Sequence, residues 1–204
     1  MSASAAPVLT DRSDFRNVTA SGARLGAVTG AVVVVFLVVS RLLSPGVARE
    51  VVQALVVLVA APLVSLLPAR WTAPRSIEGI AGAAAVGLVG TVVFSAIDIV
   101  ILRPFHAYPW TWDAVGGGST WWYLPIWWML GTFVAWMGAL LSATRAARGS
   151  ATFAQLATPL VASAVIVAIV ARLAGLAVLL PVMVGAGYAL TLTVLAVAGI
   201  ARKG

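Results

Sequence analysis

From Thr152 to Ile200 the chain carries one charged residue, Arg172. A helix needs about 20 predominantly apolar residues to cross a bilayer, and this stretch is too long for one such helix. The same pattern recurs upstream, in apolar runs at Ala23–Leu43, Val51–Leu67, Gly79–Leu102 and Trp121–Ala143. The long terminal stretch is expected to break near Arg172–Gly175, where a glycine permits a tight reversal. The runs then number six. The predicted fold class is all-α, a polytopic transmembrane bundle of six spans.

Composition closes the water-soluble alternative. Charged residues make up 9% of the chain and hydrophobic residues 62%, whereas a soluble domain carries roughly 25% charged residues to cover its surface. Mean hydropathy is +1.07. The chain is divided into a polar tail over 1–22, expected to be flexible and cytoplasmic, and a six-helix domain over 23–204. An aromatic loop, 103–120, joins the third and fourth spans on the outer face.

Loop charges set the expected orientation, because cytoplasmic loops accumulate Lys and Arg. With the N-terminus inside, nine basic residues fall on the cytoplasmic side: Arg12, Arg16, Arg24, Arg70, Arg75, Arg145, Arg148, Arg202 and Lys203. Four fall outside: Arg41, Arg49, Arg103 and Arg172. This bias favours both termini inside, as an even number of spans also requires. The abundance of Arg, Ala, Val and Gly fits a GC-rich bacterial genome, so a bacterial cytoplasmic membrane is the expected address. Basic loops on so apolar a chain meet anionic lipid head groups; nucleic acid is not an expected partner.

Several chemistries are excluded or disfavoured. The chain has no cysteine and one histidine, His106. Thiolate metal sites, iron–sulfur clusters and cysteine nucleophiles are therefore out, as is any metal site needing two imidazoles. No metal or cofactor is expected. His106, Asp113 and Ser119 supply the residue types of a Ser-His-Asp triad, but Gly117-Gly118-Ser119 lacks the strand–turn–helix context of a nucleophile elbow. The chain is read as non-enzymatic.

Three features remain as candidate sites. Gly22, Gly26 and Gly30 repeat every four residues on the first helix, a small-residue ridge that lets two helix backbones approach closely. Asp98 lies in the apolar part of the third helix, near its outer end. A carboxylate there normally faces the bundle and takes a partner; Arg172, Arg41 and Arg103 fall at the same outer depth, with Arg172 expected first and Arg41 second. Finally, tryptophans crowd the outer segment. Trp110, Trp112, Trp121, Trp122, Trp127 and Trp128, with His106, form a predicted contact surface for a partner or an apolar ligand. Tryptophan also settles at the lipid interface without any partner, which accounts for Trp121 and Trp122 but less well for the deeper Trp127 and Trp128. Trp136, deeper still, is expected in the core.

The expected function is that of a non-catalytic membrane subunit, packing against partner subunits or copies of itself. The alternative is a component that binds or transports a small or apolar solute. In size, helix count and the ridge on its first helix, the chain resembles the substrate-binding components of energy-coupling-factor vitamin transporters, without a shared sequence motif. A polar-solute carrier needs several groups converging near the midplane, and the spans offer only Gln53, Ser65, Thr158, Ser163, Tyr188, Thr191 and Thr193 in the relevant helices.

Overall fold

The computed structural model describes residues 11–105, 107, 123–147, 149 and 151–201. Six helices are long and apolar enough to cross a membrane. They are α1 (Phe15–Leu42), α2 (Val47–Thr72), α3 (Ile77–Ile97), α4 (Tyr123–Ala146), α5 (Phe153–Leu173) and α6 (Leu180–Ala201); α3 continues into a π-helical turn, Asp98–Leu102. Among the described residues there is no strand. The chain is an all-helical, multi-pass membrane protein.

The turns follow local chemistry. The expected break at Arg172–Gly175 is a Schellman turn: Gly175 takes φ +82°, its N–H donates to the Arg172 carbonyl, and the Leu176 N–H donates to Ala171. This arrangement caps the last carbonyls of α5. At the end of α2, Ala73 adopts the left-handed region with φ +48°, and Pro74 then prevents the helix from continuing. Thr152 and Gln155 form a reciprocal capping box at the start of α5, satisfying two otherwise orphaned groups.

The N-terminal segment departs from the expected flexible tail over 1–22. Helix α1 starts at Phe15, not Ala23, because Asp14 caps it by accepting a hydrogen bond from the Asn17 N–H at 3.0 Å. Upstream, the Arg12 N–H donates to the Thr72 carbonyl at 2.9 Å. Asp11 reaches across to the start of α3. Its carboxylate accepts from the backbone N–H groups of Arg75 (2.9 Å), Ser76 (3.0 Å) and Gly79 (3.1 Å) and from the Ser76 hydroxyl. Acidic groups suit a helix N-terminus, where N–H groups are unsatisfied and the dipole is positive. Residues 11–14 therefore form a strap over the α2–α3 turn.

Burial alone would raise the Asp11 pKa, but the hydrogen bonds from the Ser76 side chain and the Arg75, Ser76 and Gly79 backbones outweigh it, leaving the carboxyl below its ordinary 3.8. A depressed carboxyl stabilises the fold above its unfolded pKa and loses that contribution as pH falls through the folded value. The strap is thus fully engaged at neutral pH and released only in strong acid, below 3.8. Replacing Asp11 by alanine is expected to cost about 1 kcal/mol, as for a lost helix cap. Limited trypsin digestion checks this: cleavage after Arg12 and Arg16 should accelerate in the variant, at neutral pH, while the spans stay protected.

The bundle is organised around α2, which packs against α1, α3, α4 and α6 and touches α5. Helix α1 lies on α3 and α2, and α3 lies on α4. Helix α5 is peripheral, leaning mainly on α6. The main core joins Leu66 of α2, Met137 and Leu141 of α4, Leu160 and Ala164 of α5, and Leu192 of α6. A second cluster brings together Val18 and Leu25 of α1 with Val86 of α3.

The ridge of Gly22, Gly26 and Gly30 faces α3, within the same chain. A Cβ at Gly22 would stand 2.5 Å from Val89, and one at Gly26 would stand 2.7 Å from the Gly90 carbonyl oxygen. At Gly30 the nearest atom of Ile97 would be 3.4 Å away, an ordinary contact. Two of the three glycines are therefore required by close approach. Where lipid tails are as apolar as leucine, such packing holds helices together.

Candidate functional site

Two ends of the bundle gather the polar residues. At one, the strap, the α2–α3 turn, the end of α4 and Ile200 of α6 come together; Arg12, Arg16, Arg70, Arg75 and Arg145 lie here. At the other, the Leu180 N–H donates to Glu50 at 3.2 Å, and Gln53 donates to the Ser40 hydroxyl at 2.7 Å. Asp98 belongs to this second end.

The π-helical turn places Asp98. The Arg103 N–H donates to the Asp98 carbonyl at 2.9 Å, five residues back instead of four. In an α-helix, at 3.6 residues per turn, residues five apart diverge by about 140° around the axis, too far for a side-chain pair. The wider turn brings them onto one side. Arg103 Nε then lies 3.4 Å from Asp98 Oδ2. Asp98 is 1% exposed and the Arg103 side chain 18%, so the carboxylate is desolvated while its partner keeps some water. One turn earlier, Ser95 accepts a hydrogen bond from Trp128 Nε1 at 3.2 Å, tying α4 to the same end of α3.

Arg103 is thus a partner of Asp98, where Arg172 was expected first. Arg172, the first candidate for Asp98, is exposed and donates to the Val178 carbonyl at 3.2 Å, closing its own loop. Arg41, the second, stands in the last turn of α1. The described ion pair of Asp98 is with Arg103.

The tryptophans divide. Trp110, Trp112, Trp121, Trp122 and His106 lie outside the described residues. Trp128 turns inward to Ser95, whereas Trp127 is 43% exposed. Trp136, expected in the core, is 46% exposed. The reason is geometric: Met129, Phe133 and Trp136 recur at i, i+4 and i+7, with Ile126 and Leu130 alongside, all exposed. They form the outward stripe of α4, while Gly131, Ala135 and Gly138 form its inward one. Apart from Phe15 and Phe105 near helix ends, every strongly exposed aromatic side chain among the described residues lies on α4. The outward faces of α1, α5 and α6 are aliphatic, carrying residues such as Val38, Ile169 and Val194.

One polar contact inside the bundle was not singled out from the sequence. Ser65 of α2 and Tyr188 of α6, both buried, share a hydrogen bond of 2.8 Å. Ser65 Oγ also donates to the Ala61 carbonyl at 2.8 Å, so the tyrosine hydroxyl is the donor between the two. The signal was two hydroxyls among the few polar side chains of these spans. Their effects should be unequal. Tyr188→Phe leaves Ser65 satisfied and is expected to cost only about 0.6 kcal/mol, typical of interhelical bonds in membranes. Ser65→Ala strands a buried hydroxyl and is expected to cost about 1–3 kcal/mol. Thermal unfolding of the two variants in detergent gives the ranking.

These geometries describe helix-to-helix fastening. Among the described residues, no three His, Cys, Asp or Glu side chains converge as a metal-binding group. No family model, curated protein or solved structure matches the chain.

Proposed function

We propose that the chain is a non-catalytic membrane subunit that presents the outward stripe of α4 to a partner, either another protein or a copy of itself. The carrying observation is that, among the described residues and apart from Phe15 and Phe105 near helix ends, the exposed aromatic side chains all lie on that one helix. Aromatic residues and Met are enriched at protein contacts, and lipid alone gives no reason to place them on one face at several depths. The intramembrane polar groups support the same reading. Ser65 is used by Tyr188, Gln53 by Ser40, Asp98 by Arg103 and Ser95 by Trp128. Groups fastened in pairs are not poised to replace the hydration of a polar solute, which argues against a carrier.

In this reading the arginine-rich end faces the cytoplasm, with both termini inside, in a bacterial cytoplasmic membrane. The absence of cysteine makes the orientation simple to test. Ser13→Cys should be labelled from the cytoplasmic side and Ala174→Cys from the opposite side; the reverse pattern sinks the orientation.

The contact is tested in native membranes with a photo-reactive residue at position 133 or 136, and at 38 on α1 or 169 on α5 as references. The α4 positions should give one discrete protein adduct of common mass, and the reference positions none. Only lipid adducts from all four positions would mean that α4 faces bilayer and that the proposal is wrong.

A further inference from the structure

At the arginine-rich end, the last turns of α2 and α4 and the first turn of α5 line an open cleft of about 460 Å³. It exists because α5 leans on α6 and only lightly on α2, leaving room beside the end of α4. Its floor is apolar, with Leu66, Ala69 and Leu156, and Phe153 forms one wall. Arg70 and Arg75 line it, with the hydroxyl-bearing Ser142 and Thr152. Both arginines are exposed, and neither guanidinium has an acidic partner among the described residues. Asp11, beside Arg75, is spent on backbone N–H groups of the α2–α3 turn, and Glu78 stands in the first turn of α3 without an ion pair to either arginine.

We infer that this cleft binds the head group of an anionic phospholipid from the surrounding leaflet. The cleft lies at the ends of the apolar spans, Thr72 and Ala146, the level at which head groups sit. Two unpaired guanidiniums offer forked donors matched to phosphate oxygens. The apolar floor runs inward from them, as the first carbons of an acyl chain require. Volume agrees, since small-molecule sites typically occupy roughly 300–1,000 Å³. Basic pockets between spans are a recognised way of holding anionic lipid. The inference requires only that the chain spans a bilayer; it stands or falls apart from any partner on α4.

The test uses the full-length protein, delipidated in a neutral detergent. Unfolding temperature is followed as phosphatidylglycerol, phosphatidylcholine or inorganic phosphate is added. Phosphatidylglycerol should stabilise saturably and the other two should not. Arg70→Gln/Arg75→Gln should weaken its apparent affinity by about tenfold or more, as expected when charge-assisted hydrogen bonds are lost. Arg12→Gln/Arg16→Gln removes the same charge from the same end, outside the cleft, and should leave the affinity within about twofold, since exposed charges act weakly at a distance in salt. Equal weakening by the two double variants would reduce the effect to general surface charge and overturn the site. Stabilisation by phosphatidylcholine or by inorganic phosphate equal to that of phosphatidylglycerol would likewise overturn it, the first removing the charge requirement and the second the lipid.

Discussion

Replacing Gly138 by valine is expected to be the most damaging single change in the bundle. Gly138 of α4 lies against the backbone of α2 at Ser65. A Cβ built there would collide with the Ser65 carbonyl oxygen and stand 2.7 Å from its carbon. A flexible side chain could move aside; a helix backbone cannot do so without shifting α2, on which the other helices depend. Overpacking typically costs about 1–3 kcal/mol, and alanine at Gly138 should reach the top of that range. Valine adds branching and should exceed it, leaving little folded protein. Gly185→Ala is the matched control, because its Cβ would meet only Val57 at an ordinary 3.5 Å. That variant should be neutral, or gain up to about 1 kcal/mol from a stiffer unfolded chain. Reversible unfolding in mixed micelles separates the two; similar stability for Gly138→Ala and Gly185→Ala would remove close approach as the organising feature.

The second large effect is expected at Arg103. Changing it to glutamine removes from Asp98, 1% exposed, the guanidinium 3.4 Å from its carboxylate. Breaking a buried pair from one side costs about 3–5 kcal/mol, mostly as the penalty for the charge left behind. Because the Arg103 side chain is 18% exposed, the low end of that range, about 3 kcal/mol, is the expected loss. Asp98→Asn/Arg103→Gln removes both charges and should recover much of it. Arg172→Gln should change stability by no more than about 0.5 kcal/mol, as for other exposed substitutions. A double-mutant cycle on unfolding free energies provides the measurement. A coupling energy near zero would show that Asp98 is held by other means.

The six helices were legible because a bilayer sets a length and demands apolarity along all of it. The break before Gly175 was legible for the same reason, together with the left-handed turn that glycine allows. Three features were not. The start of α1 at Phe15 was hidden because Asp11 and Asp14 resemble a solvated tail until their N–H partners, one of them 68 residues on, are brought beside them. Arg103 fell at the right depth for Asp98 but was passed over, because five-residue spacing is not a neighbouring pair on an α-helix; only the π turn makes it one. The outward direction of Trp136 was hidden because a helix in lipid is apolar on both faces, so hydrophobic periodicity carries no inward sign. The small residues carry it instead, as Gly22 and Gly26 did on α1, and as Gly131, Ala135 and Gly138 do on α4.

The strap at Asp11 has a consequence for how the protein is made. Its carboxylate is synthesised long before the N–H groups of Arg75, Ser76 and Gly79 that it grips. During translation it must wait at the membrane surface until α1 and α2 are inserted and the turn into α3 has emerged on the same side. A chain whose first helix enters upside down presents Asp11 to the wrong compartment, with the whole bilayer between donor and acceptor. The strap can therefore close only on molecules whose first two helices have inserted as a hairpin, with residue 11 and the α2–α3 turn on one side of the bilayer. A chain in which that hairpin has not formed leaves the Asp11 carboxylate without the N–H groups it holds in the folded bundle.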